Sequence, residues 1–166
     1  MKAPAFDQIV DAIGEKRYKH ILRVTETAEK LAKIHGVDVE KARPAALFHD
    51  ICKYKDNARL WKEAERLNVK DLESFKAFPQ VLHAYVAAEA ARVDYGIEDE
   101  EILRAIRYHT TGTENMSPVE EVVFLADYLE PMRNFDGVDE LRKKAEADLK
   151  EAMAASLQGN LLFLIK

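Results

Sequence analysis

Along most of this chain the apolar residues recur every three or four positions, the period of a helix with one buried face. Phe6, Ile9, Val10 and Ile13 share a face in a helix expected over residues 4–13, beginning at Pro4 and ending near Gly14. Residues 16–35 carry Ile21, Val24, Ala28, Leu31 and Ile34 at the same period, with Gly36 as the stop. A third helix is expected over residues 37–53, capped by Asp38 and either starting after Pro44 or kinked there. Residues 55–68 form a polar helix with Leu60, Trp61, Ala64 and Leu67, and residues 69–80 read as an irregular, mobile connection. In residues 81–95 the stripe is alanine (Ala84, Ala87, Ala88, Ala91), which lets another helix approach closely before Gly96 ends it. Residues 99–109 follow, with Ile102, Leu103 and Ile106 inside.

Ser117-Pro118-Val119-Glu120 has the form of a helix start, with Ser117 as cap, Pro118 at the first position and Glu120 closing a capping box. That helix runs to Glu130, where Pro131 stops it. After a turn over residues 134–137, one last helix carries Leu141, Ala145, Leu149, Met153, Leu157 and Leu161 four apart. No stretch alternates with the period of a strand, and no repeat or change of composition marks a boundary. The expectation is a single all-α domain over residues 1–166, a compact array of about seven to nine helices.

Six polar residues break the apolar stripes. His20 precedes Ile21-Leu22, and His49-Asp50 lies inside Ala-Leu-Phe-His-Asp-Ile-Cys. His83 lies in Val-Leu-His-Ala-Tyr-Val, His109 closes Ile-Arg-Tyr-His, and Asp127 lies in Phe-Leu-Ala-Asp-Tyr-Leu. A lone histidine on such a face is ordinarily a hydrogen-bonded core residue. A buried carboxylate, by contrast, is costly unless it is paired or binds a metal. Six such residues together are better explained by one site. Imidazole with carboxylate is the donor set of iron, manganese, zinc or nickel. Four histidines and two aspartates exceed the four ligands of a structural zinc and suit two adjacent metals with one carboxylate bridging. His35, in the last turn of its helix, is set aside as a dipole partner.

Composition narrows the setting. With 48% apolar and 33% charged residues the chain has a soluble globular profile, and it has no apolar run of about 18 residues to span a membrane. The N-terminus lacks an apolar signal core, and a single cysteine, Cys52, cannot form an internal disulfide. Both fit a reducing, cytoplasmic location. A net charge of −5 argues against binding long nucleic acid, while leaving room for a small anion held by local positive groups.

The ordered pattern His20 … His49-Asp50 … His83 … His109 … Asp127 resembles the HD-domain superfamily of metal-dependent phosphohydrolases, in its dinuclear branch. The segments Arg17–Val24, Ala46–Lys53, Ile106–Gly112 and Phe124–Pro131 with Arg133 are similar to the YqeK family, as is the following Gly137–Arg142. Phe48 and Cys52 depart from that pattern only in packing residues.

The resemblance implies symmetrical cleavage of diadenosine tetraphosphate to two ADP, with a di-iron centre as cofactor and ADP or GDP as product-like ligands. Carried over, His20, His49, Asp50 and Asp127 would hold one metal. Asp50 would bridge to a second, completed by His83 and His109. Two such metals can lower the pKa of a shared water and neutralise the phosphoryl oxygens it attacks. Lys53 and Arg133 are candidates for positioning phosphate, and Asp50 with Lys53 for the catalytic set. Thr110, Thr111 and Gly112 form a loop suited to a phosphate or ribose, or an ordinary helix end. Arg23, at i+3 from His20, either binds phosphate or holds a supporting carboxylate.

Other HD phosphohydrolases, acting on a nucleoside triphosphate, a guanosine polyphosphate or a cyclic dinucleotide, would share this metal set. A non-catalytic nucleotide-binding HD domain would be expected to have lost a ligand. The apolar stripe of the last helix would serve an intrachain core or a homodimer interface.

Overall fold

Gly14 is the first hinge of the molecule. A computed structural model describes residues 5–166, so the expected Pro4 start lies outside the described residues. Helix α1 (Phe6–Ile13) and helix α2 (Glu15–His35) are separated by Gly14 alone, whose φ of 92° and ψ of 153° lie where a side chain would clash. At the far end, Gly36 and Val37 both donate backbone N–H groups to the Ala32 carbonyl and close α2. Ile34, expected inside, is exposed there.

Asp38 caps α3 (Val39–Phe48), accepting from the Glu40 N–H at 2.9 Å. Pro44 neither starts nor stops α3; its ring is buried, and it forfeits one backbone bond. Contrary to expectation, the helix does not reach Lys53. It ends at Phe48, and tight turns follow: His49 N–H to Ala46 O at 3.4 Å, Ile51 N–H to Phe48 O at 3.3 Å and Lys53 N–H to Asp50 O at 3.0 Å.

Asp56 caps α4 (Asn57–Arg66). The connection expected to be irregular forms two 3-10 turns, Leu72–Lys76 and Pro79–Val81. Then come α5 (Leu82–Val93), α6 (Glu100–Arg107, capped by Asp99) and α7 (Pro118–Leu129). Ser117 caps α7 through the Glu120 N–H at 3.2 Å, but the expected capping box is only half made. The Glu120 carboxylate turns to Arg104 at 2.9 Å instead, which pairs a buried charge.

The single last helix expected over the leucine stripe is two helices, α8 (Val138–Ala147) and α9 (Leu149–Leu164). Asp148 is extended between them, and its carboxylate caps α9 at the Glu151 N–H, 3.1 Å away. The four-residue stripe therefore divides between two faces: Ala145 and Met153 are buried, whereas Leu161 is 63% exposed.

Helix α7 is the centre of the array, packed against α2, α3, α6, α8 and α9. Its run Val119–Ala126 is buried on every side, and Leu125 is fully enclosed. Truncating Leu125 to Ala would cost about 2–5 kcal/mol. The described residues form helices and turns with no strand, and no helix among them is long and apolar enough to cross a membrane.

Candidate metal centre

Five separate segments bring the six singled-out residues to one point. His20 comes from the second turn of α2, and His49-Asp50 from the turns just past α3. His83 lies in the first turn of α5, His109 just past α6, and Asp127 in the last turn of α7. Asp50 stands at the middle. Its Oδ1 lies 3.1 Å from His83 Nε2 and 3.3 Å from His109 Nε2. Its Oδ2 lies 3.5 Å from His49 Nε2 and 3.7 Å from His20 Nε2. Asp127 Oδ1 completes the second group, 2.9 Å from His20 Nε2 and 3.6 Å from His49 Nε2. One carboxylate thus turns one oxygen to each of two clusters. The early end of α3 makes this possible, because the turned backbone points both oxygens of Asp50 inward.

All four rings present Nε2 to the centre, and three do so by one local device. His49 Nδ1 meets Ala46 O at 2.5 Å, His83 Nδ1 meets Gln80 O at 2.9 Å, and His109 Nδ1 meets Ile106 O at 2.7 Å. Each is the carbonyl three residues back. His49 and His109 lie just past helix C-termini, where the last carbonyls lack ladder partners, and His83 uses the Gln80 carbonyl of the 3-10 turn before α5. His20 sits inside α2 and uses a side chain instead: its Nδ1 meets Glu130 Oε1 at 3.2 Å. Glu130 is itself buried and held by Arg23 Nε at 2.7 Å and the Met132 N–H at 2.8 Å.

With each Nδ1 facing an acceptor, the proton of a neutral ring sits there, and the Nε2 lone pair faces inward. Those lone pairs confront carboxylate oxygens and, at 3.3 Å between His83 and His109, each other. Lone pairs in such proximity repel unless cations lie between them. His49 Nε2 is buried without a hydrogen-bond partner, as a metal-binding nitrogen would be before its ion is added. Three overlapping trios, His20/His49/Asp50, His49/His109/Asp127 and Asp50/His83/His109, each bring donor atoms within 4.8 Å of one another. The residues present therefore fit metal ions, with Nδ1 partners that fix each ring.

The carboxylates draw positive charge to the centre. Burial works against ionising Asp50, but positive charge on His49 and hydrogen bonds from His109 and His83 outweigh it and hold the carboxyl well below its usual range, while against its own burial His49 is raised by Asp50 and Asp127. Asp127 is likewise held well below by His20 and His49 against its burial. Glu130 is brought down to about 2 by Arg23, the Met132 N–H and His20, again against burial. Burial pushes His83 down to about 4, so near neutrality it offers a free lone pair.

The other expected site residues separate into three groups. Arg23 takes the supporting role: both of its bonds go to Glu130, so it acts on His20 through that carboxylate rather than reaching toward a ligand. Arg133 bonds Asp127 twice, at the main-chain oxygen (2.9 Å) and at Oδ1 (3.1 Å), and remains 42% exposed. The Lys53 ammonium makes no hydrogen bond or ion pair among the described residues. Thr110 lies against His109 with its Oγ1 buried and unpartnered, and Thr111 is exposed. Gly112 adopts a φ of 68°, and its N–H returns to the Tyr108 carbonyl to turn the loop.

Two residues escaped sequence reasoning. Arg17 donates to Asp50 Oδ2 at 3.0 Å, and Glu130 orients His20. Their signal was helical spacing: each lies three residues from a site residue, Arg17 before His20 and Glu130 after Asp127.

Helices in this order around a His…His-Asp…Asp set define an HD domain, and a model of that family, "HD domain", matches residues 17–132. The chain is 42% identical to the "Bis(5′-nucleosyl)-tetraphosphatase, symmetrical" of Halalkalibacterium halodurans over 99% of its own length and 88% of the relative's. It is 41% identical to the protein of that name from Bacillus subtilis, over 93% and 82% respectively. A crystal structure from Clostridium acetobutylicum, described as that of a predicted HD superfamily hydrolase involved in NAD metabolism, superposes with a TM-score of 0.88 at 39% identity, covering 98% of this chain and 88% of that one. The chain belongs to the HD-domain family and, within it, to the symmetrical bis(5′-nucleosyl)-tetraphosphatases.

Proposed function

We propose that this protein hydrolyses dinucleoside tetraphosphates symmetrically, cutting diadenosine tetraphosphate into two ADP, with two transition-metal ions as cofactor. The observation that carries the reading is Asp50, whose two oxygens face two separate groups of Nε2 atoms. His20, His49, Asp50 and Asp127 would hold one ion; Asp50, His83 and His109 would hold the other. Bound there, the pair would lower the pKa of a water and neutralise charge on the phosphoryl oxygens. Iron is the ion proposed, on the strength of the family resemblance; manganese, zinc and nickel share the donor preference.

The chain's own part is positioning and positive charge, which is most of what phosphoryl transfer requires. Lys53, whose ammonium has no hydrogen bond or ion pair among the described residues, would bind a phosphoryl oxygen. Arg133 keeps Asp127 turned inward and presents its exposed side to the polyphosphate. Thr110 supplies a hydroxyl with no competing bond. Water attacks a central phosphorus, the linking P–O bond breaks, and ADP departs as a stable anion. The water oxygen stays on the other ADP.

Product analysis tests this directly: the metal-loaded protein should release two ADP per diadenosine tetraphosphate, whereas ATP with AMP, or no cleavage, contradicts the reading. A cytoplasmic location, a small nucleotide as substrate and, through the exposed end of α9, a homodimer complete the proposal.

A further inference from the structure

The props of His20 and Asp127 all stand on one turn, residues 129–133, at the end of α7. Glu130 orients His20, the Met132 N–H holds Glu130, and the Arg133 side chain bonds Asp127 twice. Pro131, Met132 and Arg133 are exposed, and a surface turn of this kind is ordinarily among the more mobile parts of a chain. Within the turn itself, the Arg133 N–H returns to the Glu130 carbonyl at 2.9 Å.

The fastening comes from α8. Arg142 Nε donates to the Leu129 carbonyl at 2.9 Å, and its Nη2 donates to the Glu130 carbonyl at 2.9 Å and to the Arg133 carbonyl at 2.8 Å. Its Nη1 donates to Asp139, a turn earlier in α8, at 2.9 Å. The guanidinium therefore spans the turn from its first residue to its last, and it satisfies a helix-end carbonyl that the ladder leaves free. Buried Val138 and Ala145 fix α8 in the core, so the fork has a firm base. Among the described residues Arg142 bonds none of the six singled-out side chains, and the Gly137–Arg142 segment contributes none of them.

We infer that Arg142 is a positioning residue for the His20–His49–Asp127 half of the metal centre. By clamping three main-chain oxygens it holds the turn in the shape that sends the Glu130 carboxylate to His20 Nδ1 and the Arg133 fork back to Asp127. Without it, Glu130 and Arg133 lose their aim together, and the ion held by His20, His49, Asp50 and Asp127 is bound more weakly. The other half is spared, because His83 and His109 take their orientation from the Gln80 and Ile106 carbonyls. Lysine is a poor substitute: its ammonium is a compact point charge and does not reproduce the planar fork that spans the turn.

The inference rests on the two-metal reading, and competitive chelation of the Mn2+-loaded protein separates their failures. Wild-type protein should hold two ions per chain. Arg142→Ala should weaken one of them about tenfold, the lower end of what loss of an outer partner costs, with the other within about twofold. Arg142→Lys should weaken the same ion severalfold, and it keeps charge and bulk in case Arg142→Ala does not fold. In a His83→Ala background the remaining ion should show the same losses, which assigns the effect to the first half. Ser117→Ala loosens the opposite end of α7 and should move neither ion, so a general loss of stability is told apart from a loss of aim. Equal weakening of both ions, or neither ion moved in Arg142→Lys while wild-type protein holds two, overturns the role of Arg142 alone. Fewer than two ions in wild-type protein overturns the two-metal reading and this inference with it.

Discussion

In the half of the centre built on His20, His49 and Asp127, charged side chains arrive from three directions: Glu130 behind His20, Arg133 behind Asp127 and Arg17 on Asp50. In the half built on His83 and His109, main-chain carbonyls alone orient the rings. The contrast follows from where each histidine sits. Mid-helix carbonyls are committed to the ladder, so His20 recruits a buried glutamate, and that glutamate in turn needs Arg23. Just past a helix C-terminus, as at His109, or after the 3-10 turn before α5, as at His83, the carbonyl three residues back is within reach of Nδ1, and orientation comes with the backbone. Charge therefore props His20 and Asp127, chain geometry alone orients His83 and His109, His49 in the first half also leans on a main-chain carbonyl, and Asp50 faces both halves.

The largest effect should come from the shared ligand. Asp50→Ala should empty both halves and abolish hydrolysis, well beyond the roughly 10–100-fold that loss of an outer partner costs. Metal content measured beside activity checks it, and a variant retaining one tightly bound ion would break the comparison. Next comes the prop of the first half: Glu130→Ala should weaken one ion by about 10–100-fold while the other keeps its affinity, read by competitive chelation. Equal weakening of both would show that the halves are not separately supported.

The second half should reveal itself by pH. Burial holds His83 near 4 in the folded chain against an ordinary 6.5. Between those values the unfolded chain binds a proton there that the folded chain does not. Stability of the metal-free protein therefore falls as pH drops through that window, by on the order of 3 kcal/mol in all. His83→Asn should flatten the slope of Tm against pH, and an unchanged slope would contradict the assignment. The smallest effect serves as a control. Ser117→Ala removes the cap of the helix that carries Asp127 and should cost about 1 kcal/mol in denaturant unfolding without altering metal content.

Much of this was legible in the chain because it depends on local rules. Helical period located the helices, and Asp38, Asp99 and Ser117 cap where short polar side chains should. The six site residues stood out as polar groups inside apolar stripes. What escaped was set by tertiary competition. Asp148 breaks a stripe that reads as continuous, because capping α9 favours an extended residue there. Glu120 left its box for Arg104, and α3 stopped early where the tight turns carry Asp50. Arg17 and Glu130 were missed because their partners lie 33 and 110 residues away, at Asp50 and His20. Helical spacing places Arg17 near His20 and Glu130 near Asp127, but it does not name the partner across the fold.

The most direct test of two half-sites joined by Asp50 is metal analysis of anaerobically purified protein beside its His83→Ala variant. The account predicts two ions per chain in the first and one in the second, with His20, His49, Asp50 and Asp127 still holding it. One ion in both proteins, or none lost with His83, would contradict it.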